Sequence, residues 1–368
     1  MASPLVACRY RERPVASWHL GAFSKMLDNI QRIKVLSAQD SSSAGNSGSD
    51  ELNSRTRAQS TNLWKGSRQR SFVLSLALAA AVSGCSIRKM AVNKIGDSLA
   101  SGGTTFSSDD DPDLVGDALP FSLKLMESLL AENPQHRGLL LASCSGFTQY
   151  AFVYVQVPAE EAEDQDLAKA DVLRVRARHL YLRARNYGLR DLEIAHPGFE
   201  RAIRENAKSA VAKAGAKDVP LLYWTAASWG AAISVSKDDP EMIADQPIIE
   251  ALIDRALELD PDYDFGAIHS FLISYESVRR TASGDFVPRS RKHFERAVAL
   301  TSGQSASPYV ALATTVSVSK QDSEEFEALL KKALAVNPDA RPEWRLTNIV
   351  MQRRARWLLS RENELFAK

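Results

Sequence analysis

From Leu114 onward, apolar residues return every third or fourth position, and no segment alternates with a period of two. That is the spacing of an amphipathic helix, whose inward side chains share one stripe. Leu119, Leu123, Met126 and Leu130 mark a first helix, and Glu132-Asn133-Pro134 stops it because proline cannot continue the backbone ladder. Leu139 to Val157 predicts a second helix. Residues 165–186 and 189–214 predict a third and a fourth, and Leu221 to Val235 a fifth, ended by Lys237-Asp238-Asp239-Pro240. The β-branched residues are scattered. The pattern predicts an all-α fold.

An internal repeat sharpens this. Arg255-Ala256-Leu257-Glu258-Leu259-Asp260-Pro261 aligns with Lys332-Ala333-Leu334-Ala335-Val336-Asn337-Pro338, and Arg296-Ala297-Val298-Ala299-Leu300-Thr301-Ser302 fits between them without the proline. Ser128-Leu129-Leu130-Ala131-Glu132-Asn133-Pro134 is a weaker early copy. A small residue lets two helices approach, and Asn/Asp-Pro then ends the helix. This resembles the close of a tetratricopeptide helix. Pro261 and Ser302 are 41 residues apart, and Ser302 and Pro338 are 36 apart, both longer than the strict repeat of about 34. The Trp-x-x-Leu-Gly-x-x-Tyr half of that consensus is absent. The expectation is degenerate, tetratricopeptide-like helix pairs stacked into a curved α-solenoid or bundle over residues 114–368.

Ahead of the helical part lies a different pattern. Lys65, Arg68 and Arg70 precede eleven mostly apolar residues, Phe72 to Val82, and Val82-Ser83-Gly84-Cys85 follows. The run suits a secretion signal of roughly 7–15 apolar residues and is short of the roughly 20 needed to span a bilayer. Its end resembles the lipobox of bacterial lipoproteins, so Cys85 is the expected lipidation site and the first residue of the mature chain. Residues 63–84 then form a signal peptide and 85–113 a lipidated tether with a short helix broken at Ser101-Gly102-Gly103-Thr104-Thr105. Residues 1–62, with the run Ser41 to Ser49, read as a low-complexity extension and a start placed too early. Two acyl chains supply the stable membrane attachment that one does not. Ser86 follows the cysteine where an aspartate often retains lipoproteins in the inner membrane, which favours an outer-membrane anchor facing the periplasm.

The chain has 46 basic and 45 acidic residues, of which 11 and 5 precede Cys85, so the mature part is mildly acidic. No broad basic field exists for a nucleic acid. With Cys8 removed and Cys85 acylated, Cys144 stands alone in an apolar helix and reads as a small buried hydrophobe. Asp109-Asp110-Asp111-Pro112-Asp113 lacks the glycine turn and closing glutamate of a calcium loop, and suits a helix N-terminus. His136, His179, His196, His269 and His293 are widely separated, and no His-Glu-x-x-His or Cys-x-x-Cys occurs, so no metal and no cofactor is expected. Gly96-Asp97-Ser98-Leu99 spells the motif of an esterase family. No strand precedes it and no Asp-x-x-His follows, so the hydroxyl lacks its base. The reading is of a non-enzyme.

What remains is aromatic. Tyr223-Trp224-Thr225-Ala226-Ala227-Ser228-Trp229-Gly230 places large rings among small residues on one helix, with Leu222, Ala226 and Trp229 on one stripe and Tyr223, Ala227 and Gly230 on the next. Such a helix is either tightly packed core or the wall of a cleft. Phe147 and Tyr150 on Gly146 to Phe152 have the same character. Tyr150, Tyr223, Trp224 and Trp229 are therefore the candidate ligand or partner residues.

Taken together, Leu119-Pro120-Phe121 to Leu130, Ser145-Gly146-Phe147-Thr148-Gln149-Tyr150-Ala151, Tyr181-Leu182-Arg183-Ala184-Arg185-Asn186-Tyr187-Gly188-Leu189-Arg190, and Leu222-Tyr223-Trp224 through Trp229-Gly230-Ala231 make the chain resemble the T-component (TatT) family associated with tripartite ATP-independent periplasmic (TRAP) transporters. The resemblance is collinear from about Cys85 to Leu359. It implies a lipoprotein that assembles as a homotrimer and docks the periplasmic solute-binding protein of a TRAP system, with a channel or cleft for an apolar or organic-acid ligand. A general envelope-assembly lipoprotein with the same concave surface is the alternative.

Overall fold

The computed structural model describes residues 93–99 and 105–366, and the readings placed on residues 1–92, Cys85 among them, lie outside these. Every regular element among the described residues is helical. The major helices are α1 (Pro112–Glu132), α2 (Arg137–Ala151), α3 (Leu167–Ala195), α4 (Val219–Ser234), α5 (Gln246–Leu259), α6 (Tyr263–Tyr275), α7 (Val287–Leu300), α8 (Ser307–Leu312), α9 (Ser323–Ala335) and α10 (Arg345–Ser360). A turn of π-helix, Phe152–Gln156, extends α2 into a short helix at Val157–Ala162. By length and composition Arg137–Ala162 could cross a bilayer, but here it lies within the fold, with α2 packed on α1, α3 and α4.

The helix starts follow capping chemistry. Asp111 accepts hydrogen bonds from the backbone N–H of Asp113 (3.0 Å) and Leu114 (3.1 Å), so the aspartate run opens α1. Asp166, Asp239 and Asp322 cap later helices in the same way. All four copies of the repeat close a helix: α1, α5, α7 and α9. Ala256, Ala297 and Ala333 are each fully buried, as the close-approach argument requires, while Leu129 holds that place in the early copy and is half-buried.

One expectation needs correction. The third and fourth predicted helices are a single 29-residue helix, α3, that runs through Tyr187 and Gly188 and ends at Ala195. Two short helices, Phe199–Glu205 and Ala207–Val211, take up the remainder. Gly188 does not break the helix. It lies where α3 crosses α2 and α4, and a Cβ there would stand 2.2 Å from Thr225 Oγ1 and 3.1 Å from Cys144 Sγ. Cys144 is fully buried at this crossing, and burial pushes its thiol up to about 12. The small-hydrophobe reading of that cysteine holds.

Helices pack mainly on their sequence neighbours, as in a solenoid, and form two main cores. One gathers α1 to α6 around Leu192, Leu222, Trp229, Ile249 and Leu252, and the other gathers α7 to α10 around Phe326, Leu330 and Ala355. The array then closes on itself. The π turn directs Phe152 and Val153 onto the second core. Leu346 N–H donates to Ser107 O (3.0 Å), and Arg345 to Ser108 O (3.3 Å). Arg353 meets Asp113 (3.0 Å), Arg354 meets Glu160 (2.5 Å) and Arg361 meets Asp164. Four arginines on and just beyond α10 thus clasp the start of the helical array.

Candidate functional site

The two stripes of α4 separate. Leu222, Ala226 and Trp229 are fully enclosed. Trp229 Nε1–H donates to Asp245 Oδ2 (3.2 Å), and the Arg185 guanidinium lies 4.8 Å from the ring centroid. Trp229 is therefore a core residue and offers no open face to a ligand. Tyr223 and Gly230 on the second stripe are partly exposed and look toward α6. The Tyr223 ring packs at 5.0 Å from Trp224, steeply tilted, and at 5.5 Å from Tyr263. Further along, the space beside Gly230 is taken by Phe271, which stacks on Tyr275 at 5.2 Å. Tyr150 belongs to a different cluster. It is nearly buried beside Tyr154 (5.5 Å), and its hydroxyl accepts from Arg176 (3.2 Å). Of the four candidates, Tyr223 and Trp224 are brought together at a partly open face.

The start of α6 completes that face. Asp264, Phe265 and Gly266 have φ of 44°, 52° and 90°, three successive left-handed residues. Glycine takes this conformation freely, but a bulky residue there is an outlier that costs on the order of 1 kcal/mol or more. Gly266 is needed because a Cβ would meet Leu300 at 3.0 Å. The run sends Tyr263 onto α4 and Phe265 onto Trp344 (5.2 Å), with the Arg341 guanidinium 5.5 Å and 4.5 Å from those two rings. Sequence reasoning missed Tyr263, Asp264, Phe265 and Trp344. The signal was present in Asp262-Tyr263-Asp264-Phe265-Gly266, an aromatic pair ahead of a glycine just past the Asp260-Pro261 stop.

Two grooves are also open on the surface. One of about 370 Å³ is lined by His179, Leu182, Arg183, Asn186, Tyr187 and Arg190 of α3. The other, about 560 Å³, runs between α5 and α7 beside His269 and His293. These two imidazoles face one another with Nδ1···Nδ1 at 2.8 Å. Burial, with the nearby His269, Arg279 and Lys292 outweighing Glu276, holds His293 down at about 4. An unfolded histidine titrates near 6.5, so between those values the unfolded chain binds more protons. Stability is then fully present above about pH 6.5 and is lost as the pH falls toward 4. Urea midpoints at pH 7.5 and 5.0 check this: the midpoint should drop at pH 5.0, and the drop should shrink in His293→Gln.

Among the described residues no group of three or more His, Cys, Asp or Glu side chains could hold a metal ion. The Gly96-Asp97-Ser98-Leu99 motif lies on a helix at 93–99, not after a strand. His136 approaches it, but its Nε2 faces Asp97 (3.2 Å) and its Nδ1 accepts the Leu139 N–H, which caps α2. A separate network at the α2–α3 end, Arg137 with Asp191 (2.5 Å) and Asp218 with His196 (2.9 Å), ties helix ends together.

Comparison with known proteins adds the family. A family model described as TRAP transporter T-component matches residues 108–366, the whole helical array. An uncharacterized protein of Treponema pallidum (strain Nichols) is 28% identical over 302 residues, covering 77% of this chain and 94% of its own length.

Proposed function

The chain belongs to the TRAP transporter T-component family, and on that premise we propose that it is a periplasm-facing lipoprotein scaffold that docks the transporter's solute-binding protein. The family ties the chain to a TRAP transporter. Docking, lipid attachment at Cys85, outer-membrane placement and passage of an apolar or organic-acid ligand are the finer parts of the proposal. The observation that carries it is the match across the entire helical array, whose surface presents rings and grooves.

Assembly as a trimer is part of the same reading. On α3, Val172, Val175, His179 and Leu182 fall at the alternating three- and four-residue spacing of a helix-pairing seam. Val172 and Val175 are 70% and 54% exposed, unusual for valine with no partner. One experiment tests docking and assembly together. The tagged protein, cross-linked in its native host and captured, should bring down a TRAP solute-binding protein on a complex containing three copies of this chain. Recovery of envelope-assembly machinery in place of the solute-binding protein would overturn the proposal.

A further inference from the structure

We propose that Tyr223, Trp224, Tyr263 and Asp264 form a binding site for a small organic ammonium ion. Three observations converge on these residues. The first is the cluster of rings: Tyr223 packs on both Trp224 and Tyr263, at 5.0 and 5.5 Å, on a face that is partly open. Ring faces carry negative quadrupole density and attract cations, and a soft, weakly hydrated alkylammonium gains most from them.

The second is the carboxylate. Asp264, next to Tyr263 in the chain, is exposed and has no hydrogen-bond or ion-pair partner among the described residues, and partial desolvation pushes its carboxyl up. Burial is the main reason both phenols are raised, Tyr263 to about 12, and the Asp264 charge raises each of them further. The buried acids elsewhere in the fold are matched. Glu250 accepts from Arg280 and Thr281, Glu276 meets Arg279 and Arg289, and Asp191 meets Arg137. Asp264 differs from them in being open to solvent, next to a ring cluster and with no cation paired to it among the described residues.

The third is the backbone. Phe265 sits at φ 52°, which an aromatic residue adopts at a cost, and it is held there by Trp344 and Arg341. Strain of this kind gathers where a side chain must be presented in one place. Here the left-handed run sets Tyr263 against α4 and leaves Asp264, the next residue, exposed to solvent.

The chemistry selects the ligand class. An anion would be repelled by the carboxylate, and a neutral ligand would gain nothing from its charge. A bare metal ion would find no group of three or more His, Cys, Asp or Glu side chains among the described residues to replace its water. An ammonium on a small carbon body satisfies the rings and the carboxylate together. The site stands whether or not the docking proposal above is correct, since its test needs no partner protein.

The test is calorimetric titration of the full-length protein with tetramethylammonium and choline chlorides, against sodium chloride at matched ionic strength and against sodium acetate. The wild type should bind either ammonium saturably at one site per chain, and neither control. Asp264→Asn should weaken binding about tenfold or more, a difference of roughly 1.4 kcal/mol. Asparagine accepts the left-handed conformation at least as well as aspartate, so this variant should melt as the wild type does. Trp224→Leu should weaken binding as well. Absence of saturable binding, or unchanged binding in a normally folded Asp264→Asn, would overturn the assignment.

Discussion

Replacing Trp229 by alanine is expected to lower the free energy of unfolding by about 3–5 kcal/mol, measured by urea denaturation followed by helical circular dichroism. Among the described residues the ring is the largest fully buried side chain, and it belongs to the first core, on the same α4 stripe as Leu222 and Ala226. Removing it opens a cavity that close-packed neighbours can only partly fill. It also strips two charged groups of their partner: Asp245 loses the indole N–H, and Arg185, whose guanidinium is already disfavoured by burial, loses the ring beneath it. Trp229→Phe separates these effects. It keeps most of the volume and loses the N–H, so its cost should be nearer 1–3 kcal/mol. Tyr223→Ala, on the open stripe, should cost less than Trp229→Ala. Equal costs for Tyr223 and Trp229 would contradict the division of α4 into a buried and an open face.

That division was only half legible in the sequence. Periodicity shows that α4 has two adjacent stripes of large and small residues, but it cannot say which neighbour covers which stripe. The helix ends at Glu132, Leu259 and Ala335 were readable because an asparagine or aspartate followed by proline acts locally on the backbone. The closure of the array was not. Arg345 and Arg353 reach partners 237 and 240 positions away, and nothing local to α10 distinguishes those arginines from solvated ones. The left-handed run at 264–266 was hidden for another reason. Glycine at 266 permits it, but what holds Phe265 there is Trp344, far along the chain. The candidate site was therefore legible as Tyr223 and Trp224, on one helix, and not as the set completed from α6.

Gly188 shows the same limit in its sharpest form, and its substitution carries the second large effect. On helix propensity alone, Gly188→Ala inside α3 should stabilise by about 1 kcal/mol. The expected result is the opposite sign, a loss of about 1–3 kcal/mol, in the range of overpacking in a filled core. A Cβ at this position would lie 2.2 Å from Thr225 Oγ1 and 3.1 Å from both Thr225 Cβ and Cys144 Sγ. None of these can withdraw freely. The Thr225 hydroxyl donates to Leu221 O at 2.6 Å, and both Thr225 and Cys144 are fully buried. The helices must therefore move apart, which loosens α2 and α4 against α3 together. Thr225→Ala removes the closest atom, so the double variant Gly188→Ala/Thr225→Ala should recover much of the loss, a non-additivity that marks direct contact. Stability equal to or above wild type in Gly188→Ala alone would mean that the crossing is looser than described. If the crossing is as tight as the glycine requires, it also sets the position of Tyr223 and Trp224. Both rings ride on α4 within two residues of Thr225, so the single variant should weaken ammonium binding at the α4–α6 face while the double variant restores it.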